Sequence, residues 1–462
     1  MTRIRIFVTG CCILALALLL NSCLVGPKYV KQSSDLPESF GETALETDTI
    51  SNTSWWATFT DPILDTLIAK ALTNNYDVMM AMSRIEQAAL ASGVAKADFW
   101  PQISYQAGIS RGDFTGGSQM PVVSNNAFGV GLLNWELDLW GKYRHAQHAA
   151  NANFAASRFA YQATMLSIES ETARLYFQLL DYRERLRISQ NTLKSRDASV
   201  SIITQRLEKG IVPEIDLNQA VIQQAEAAVA VPLFEQLSQN IIHALHLLMG
   251  ESLVSDSLFV GNLTSQKLPP SIPDVIPSEL LKRRPDIMLA EQQLIGQYAM
   301  AGIAQSLRFP ALSLTMAGGV ASSDLNNLFN GNPAWSVGAG LFGPLFHFGK
   351  NKKNAEIELK RIEELQANYQ QVVLAAFLEV KDALTEIKSF EQQIAIRKTQ
   401  LDAARNAAML SRDRYNGGVT SYLELLDSDR ILYSTELMLS QSKQGLLNAY
   451  VKLFKALGGG WE

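Results

Sequence analysis

Apolar and polar residues alternate strictly from Ile103 to Ser110: Ile103, Tyr105, Ala107 and Ile109 fall between Ser104, Gln106, Gly108 and Ser110. A period of two predicts a β-strand with one oily and one polar face. A Gly/Asn-rich segment follows, and the pattern resumes with Phe128, Val130 and Leu132 against Gly129 and Gly131. At Leu132-Leu133 the phase slips, and Leu133, Trp135, Leu137 and Leu139 become the apolar set. Such a slip swaps the faces, so it marks a bulge or the strand leaving its apolar setting. Two hundred residues later the pattern returns: Leu312, Leu314 and Met316, then Trp335, Val337, Ala339 and Leu341, with a second slip at Leu341-Phe342.

Between these strands lie two windows free of glycine and proline, 68 residues between Gly141 and Gly210 and 67 between Gly349 and Gly417. Both are rich in Ala, Leu, Gln, Glu, Lys and Arg, which lose least on entering a helix. Each predicts an unbroken rod of about 100 Å, far longer than an ordinary globular helix. Landmarks recur at a spacing of 208 or 209 residues: Asp77-Val78-Met79 with Asp286-Ile287-Met288, Pro101 with Pro310, Trp140-Gly141-Lys142 with Phe348-Gly349-Lys350, and Gly210 with Gly418. The chain therefore reads as a tandem repeat. Each half runs helix, two strands, long helix, tight turn, shorter helix. Asp61-Pro62 opens the first helix, expected to run to about Phe99, and Pro232 predicts a kink in the helix returning from Gly210. The lengths of helices 63–99 and 214–249 together approach that of the long rod, predicting a wall of antiparallel helices. Expected divisions are an export signal (1–22), an N-terminal segment (23–61), repeat one (62–250), a Ser/Pro-rich linker (251–276), repeat two (277–457) and a tail (458–462).

A formal net charge of −5, with no basic stripe, excludes nucleic acid as a partner. Arg3 and Arg5 precede a short apolar run, Ile13 to Leu20, that ends in Leu20-Asn21-Ser22-Cys23. The run is too short to span a bilayer and reads as an export signal. Its end resembles a bacterial lipobox, in which the thiol of Cys23 takes a diacylglyceryl group; the alternative is an ordinary signal that happens to contain a cysteine. By the same resemblance, Leu24 in place of an acidic residue favours the outer membrane. Cys11 and Cys12 would be discarded with the signal, leaving one cysteine and no internal disulfide. No nucleophile elbow, phosphate loop or metalloprotease motif is present, so the chain reads as a non-enzyme without cofactors other than the lipid on Cys23. His145 with His148 and His243 with His246 have a spacing that can hold a metal, yet nothing completes either set, which favours packing roles.

Strands with one apolar face span lipid only in a closed barrel, and four cannot close, whereas three copies would supply twelve. A soluble pair of hairpins docked on another protein is the competing reading of these strands. At this point the residues carry a family resemblance. Leu280-Leu281-Lys282-Arg283-Arg284-Pro285-Asp286-Ile287 with Ala290-Glu291 and Phe309-Pro310-Ala311-Leu312 is similar to the signature of the TolC/OprM outer-membrane efflux factors. Val25-Gly26-Pro27-Lys28-Tyr29, Trp55-Trp56, Phe59-Thr60-Asp61-Pro62 and Leu453 to Trp461 resemble its lipoprotein branch. The resemblance implies an α+β membrane protein: a homotrimer with a 12-stranded outer-membrane β-barrel continued by a 12-helix periplasmic α-barrel. It implies passive efflux of drugs or other small molecules, with a periplasmic adaptor and an inner-membrane transporter, of the RND type, as separate partners. A protein-secretion duct of the same fold and a lipid-anchored periplasmic scaffold are the rivals. It also places a periplasmic gate at the helix tips, with an apolar constriction at Leu423 and acids at Glu424 and Asp427. Three residues apart, those acids share a helix face and would form two carboxylate rings attracting cations. Asp427 and Arg430 are spaced to latch neighbouring helices. Asp216, six residues after Gly210, falls where the family has a latch carboxylate, while Thr420 stands where TolC has arginine. Without the resemblance, these charges would read as solvating a helix end.

Overall fold

The computed structural model describes residues 24–31, 54–111, 124–252, 261–269, 277–322 and 333–459. The export signal, Cys23, most of the segment to residue 53, much of the linker and Trp461 lie outside the described residues. A one-turn 3-10 helix, Trp55–Phe59, precedes α1 (Pro62–Asn74), α2 (Tyr76–Ala97), β1 (Gln102–Arg111), β2 (Ser124–Leu137), α3 (Lys142–Glu208) and α4 (Glu214–Leu248). The same order follows in α5 (Pro277–Arg283), α6 (Pro285–Ser306), β3 (Ala311–Ser322), β4 (Pro333–Phe342), α7 (Lys350–Asn416) and α8 (Tyr422–Ala456). Both long windows are single helices of 67 residues.

One expectation about the helices needs correction. The first helix is not continuous to Phe99: it breaks at Asn75, whose Oδ1 accepts from the amides of Asp77 at 2.8 Å and Val78 at 3.3 Å, while its Nδ2 donates to the Leu248 carbonyl at 2.9 Å. Asparagine thus starts α2 and satisfies the end of α4 at once, a tertiary requirement that overrides helix propensity. Pro232 lies within the span of α4, where its nitrogen has no hydrogen to donate to the preceding turn. Asp61 caps α1 as expected, accepting from Ile63 N at 2.9 Å and Leu64 N at 3.4 Å.

The chain divides into two compact units. One comprises Met1–Ser33, Ser83–Arg158 and Leu289–Gln371 and contains an antiparallel sheet of order β1-β2-β3-β4. Register Ile103↔Leu133↔Met316↔Val337 puts Ile103, Leu133, Trp135, Leu137, Leu312, Leu314, Met316, Trp335, Val337 and Leu341 on one face. Gln102, Ser104, Asn134, Glu136, Ser313, Thr315 and Ser336 lie on the other, together with Leu132 and Phe342. Ile103 is 75% exposed and Trp335 78%, so among the described residues nothing covers this part of the apolar face. The phase slip in β2 is a bulge at Val130, two residues earlier than the apolar pattern suggested, with the pairing shifted against both β1 and β3. No shift accompanies Leu341-Phe342: β3 and β4 pair continuously, and β4 simply ends there.

The second unit, Ser34–Met82, Phe159–Met288 and Val372–Glu462, is helical. Side-chain bonds order its long helices α4–α3–α8–α7: Gln224 to Asp197 (2.7 Å), Ser189 to Tyr433 (2.9 Å) and Ser411 to Ser428 (3.0 Å). An aromatic core holds its N-terminal turn, with Trp55 stacked on Phe454 at 5.4 Å and Phe59 against Phe177 at 5.0 Å. Among the described residues no helix is long and apolar enough to cross a membrane.

Candidate gate and anchoring sites

Each helical hairpin turns by the same backbone device. Gly210 and Gly418 both sit at φ +69°, a conformation only glycine adopts without strain. The amide of Ile211 donates to Arg206 O at 2.9 Å and that of Val419 to Arg414 O at 2.9 Å, the six-to-one bond that satisfies a helix C-terminus. Tyr415 and Tyr422 close the second tip at 5.5 Å, and Arg206 lies over the Tyr415 ring at 4.9 Å. Burial, the field of Asp429, Tyr415 and Asp216 push the Tyr422 hydroxyl up to about 12. Asp216 is itself half-buried, and desolvation raises its carboxyl above the ordinary range.

Leu423, Glu424, Asp427 and Arg430 are all exposed on α8. The spacing of Leu423, Asp427 and Arg430 puts them on one helix face. The structure does not bring Asp427 and Arg430 into an ion pair, and neither has another charged partner among the described residues. Glu424 instead meets Arg414 across the turn at 3.3 Å and accepts from the Thr420 hydroxyl. Arg412 reaches Asp429 at 3.3 Å and Arg405 reaches Glu436 at 3.2 Å, tying α7 to α8. These pairs link positions 10 to 31 residues apart across the turn, too far for helical spacing to reveal them.

A different site surrounds the first described residue after Cys23. The amide of Val25 donates to Trp140 O at 3.3 Å, and a Cβ on Gly141 (φ +83°) would overlap Leu24. Tyr29 donates to Glu291 Oε1 at 2.8 Å and meets Tyr298 edge-on at 5.7 Å. His145 is buried, with Nε2 3.0 Å from Val25 O, and its ring fills the space a side chain on Gly302 would take. Burial holds its pKa below the usual value, so it clamps the N-terminal segment as a neutral ring. Among the described residues no group of three His, Cys, Asp or Glu could hold a metal. Trp140 stacks on Phe309 at 4.8 Å and donates to Pro310 O at 2.7 Å. With Phe99, Trp100, Phe346 and Phe348 these rings flank one end of the sheet, before β1 and β3 and after β2 and β4. Aromatics collect at such a level where a barrel meets the headgroups.

Among the described residues one buried acid has no counter-charge. Glu169 of α3 is 6% exposed and there accepts only from Trp55 Nε1, at 3.0 Å. Desolvation pushes its carboxyl up to about 7, against a smaller opposing effect of the Trp55 bond. Because the folded pKa exceeds the unfolded value, folding favours the protonated form. That stability is complete below about pH 4.5 and drains away as pH rises through 7. The loss is about 3 kcal/mol. Glu169→Gln should flatten the difference in melting temperature between pH 5 and pH 8 relative to the parent; an unchanged difference would show that Glu169 ionises freely.

A sheet with one apolar face and one hydroxyl- and amide-rich face, whose β1 and β4 edges are free among the described residues, defines a subunit of a membrane pore. The chain belongs to the outer membrane efflux protein family, whose model matches residues 67–251 and again 276–459. It is 32% identical over 459 residues to the probable outer membrane lipoprotein SilC of Salmonella typhimurium, covering 96% of this chain and 97% of SilC. Identity to the cation efflux system protein CusC of Escherichia coli K12 is 32% over 461 residues, 96% of this chain and 98% of CusC. The open state of the Neisseria gonorrhoeae MtrE outer membrane channel matches with a TM-score of 0.85 at 27% identity, covering 95% of this chain and 99% of MtrE. The protein is an efflux channel of the outer membrane, and its family conducts rather than catalyses.

Proposed function

We propose that three copies of this chain close a twelve-stranded barrel and a helical tunnel that together form the exit duct of a tripartite pump. The single observation carrying this reading is the four-stranded sheet: among the described residues its apolar face is uncovered, and its two edges leave backbone groups that lipid cannot satisfy. Among its described residues the helical unit also has two unpartnered sides. Ile222, Val229, Leu233 and Leu247 are exposed on α4, and Leu374, Leu378, Ile396 and Leu410 on α7, at opposite ends of the helix row. A second copy offering its α7 to α4 would bury both sets. A lipid on Cys23 would lie close to the aromatic belt, since Val25 two residues on bonds to the Trp140 carbonyl and Trp140 stacks on Phe309. A periplasmic adaptor and an inner-membrane transporter of the RND type supply contact and energy, and cargo moves passively through a lumen divided between the two repeats (62–250 and 277–457).

In this duct Leu423, Glu424 and Asp427 approach the axis and, with Arg430 and Asp216, form the gate. Rings of Glu424 and Asp427 carboxylates make the entrance favour cations, in keeping with the cation efflux named for CusC. Purified protein inserted in planar bilayers under a KCl gradient should give a reversal potential on the potassium side. An anion-preferring pore, or bilayers that never conduct, would count against this reading.

A further inference from the structure

We infer that Arg196 is a positioning residue that couples the two helical hairpins and sets the resting position of the gate face of α8; this deepens, and rests on, the gate reading above. Arg196 belongs to α3 and is 6% exposed. Its guanidinium touches both neighbours of that helix. On one side it donates to the Gln223 carbonyl of α4. On the other it lies over the Tyr433 ring of α8, 5.2 Å from the centroid, and Tyr433 is fixed in turn by the Ser189 hydroxyl of α3 at 2.9 Å.

What makes the contact unusual is how incompletely the charge is matched. The nearest carboxylate, Glu226 of α4, is 3.8 Å away and largely in solvent. Asp429 of α8 feels Arg196 electrostatically but bonds to Arg412. Beside them the Gln223 Oε1 is buried without a hydrogen-bond partner, and at the tip the Tyr415 hydroxyl is in the same state. Buried polar groups are nearly always satisfied, so an unpartnered Gln223 amide oxygen next to an incompletely matched Arg196 charge points to a contact with a second arrangement. Tyr433 follows Arg430 by three residues and Asp427 by six, on the same helix. Any tilt of α8 that withdraws the gate face must therefore slide the Tyr433 ring across Arg196. The guanidinium keeps its α4 carbonyl through that motion, so the α3–α4 hairpin serves as the fixed post against which α8 moves. A cation on a ring face holds one position by several weak contacts, which suits a contact made and broken repeatedly.

The experiment is single-channel recording of full-length protein in planar bilayers, with melting temperature measured on the same preparations. Arg196→Gln and Tyr433→Leu should each raise the open fraction by about 5- to 150-fold, the range of ordinary coupling between sites. Tyr433→Phe, which keeps the ring, should stay closed, and Arg196→Lys should recover most of the parent behaviour. The double variant Arg196→Gln/Tyr433→Leu should open no further than either single change, because both remove one contact. Arg196→Gln and Tyr433→Leu channels that conduct like the parent, with or without a lower melting temperature, would overturn the proposal. Asp427→Asn/Arg430→Gln, recorded alongside, separates the failures: if that variant opens and Arg196→Gln does not, only the coupling falls, and if neither opens the gate reading falls with it.

Discussion

Asp427→Asn combined with Arg430→Gln should raise single-channel conductance of the reconstituted protein by about 5- to 150-fold over the parent. Both side chains stand exposed on the face of α8 that also carries Leu423, and neither has a charged partner among the described residues of its own chain. Charges left unpaired at a converging helix end are available to the next protomer, where Asp427 of one copy can meet Arg430 of another. An ion pair shielded between copies is worth more than one in open solvent. Removing both partners together avoids leaving an orphaned charge, so the change reports the lost latch rather than a new repulsion. Raising the salt concentration should weaken the parent's latch in the same direction and leave the double variant nearly unaffected. A double variant as poorly conducting as the parent would remove the latch from the account.

The second large effect concerns folding. Arg284→Ala should cost about 3 kcal/mol, towards the low end for breaking a buried pair because both carboxylates stay partly in water. The guanidinium is 6% exposed and grips Asp286 with two bonds, 3.0 and 2.7 Å. It also bonds Glu379 at 2.7 Å and the Ala456 carbonyl at 2.9 Å. One side chain thus ties the start of α6, the middle of α7 and the end of α8. Arg284→Lys should recover only part of the loss, since an ammonium cannot reproduce the forked pairing with Asp286. The comparison is made by denaturant titration in detergent, and an Arg284→Ala midpoint equal to the parent's would show that the clamp is not stabilising.

Much of the architecture was legible because it rests on local rules. Lys142–Glu208 and Lys350–Asn416 are helical for want of any glycine or proline, and Gly210 and Gly418 end their turns at one shared φ. The four strands announced themselves through a period of two. Misreadings occurred where a distant partner decided the outcome. Nothing near Asn75 says that the Leu248 carbonyl needs a donor, so the break between α1 and α2 was invisible. The bulge at Val130 is fixed by pairing on both sides of β2, whereas the apolar pattern shows only the point where the faces exchange. At the tip, composition and resemblance pointed to Leu423, Glu424, Asp427, Arg430 and Asp216. The pairing of Glu424 with Arg414, the lone carboxyl of Glu169 and the bridging role of Arg196 depend on helices brought together by the fold, and no local spacing encodes them.

All of these readings require that one chain holds a third of a closed wall. Native mass spectrometry of the mature protein released from detergent micelles tests that requirement directly. The account predicts a single dominant species of three chains, each carrying the mass of a lipid-modified cysteine. A monomer that stays folded in detergent-free buffer would contradict it.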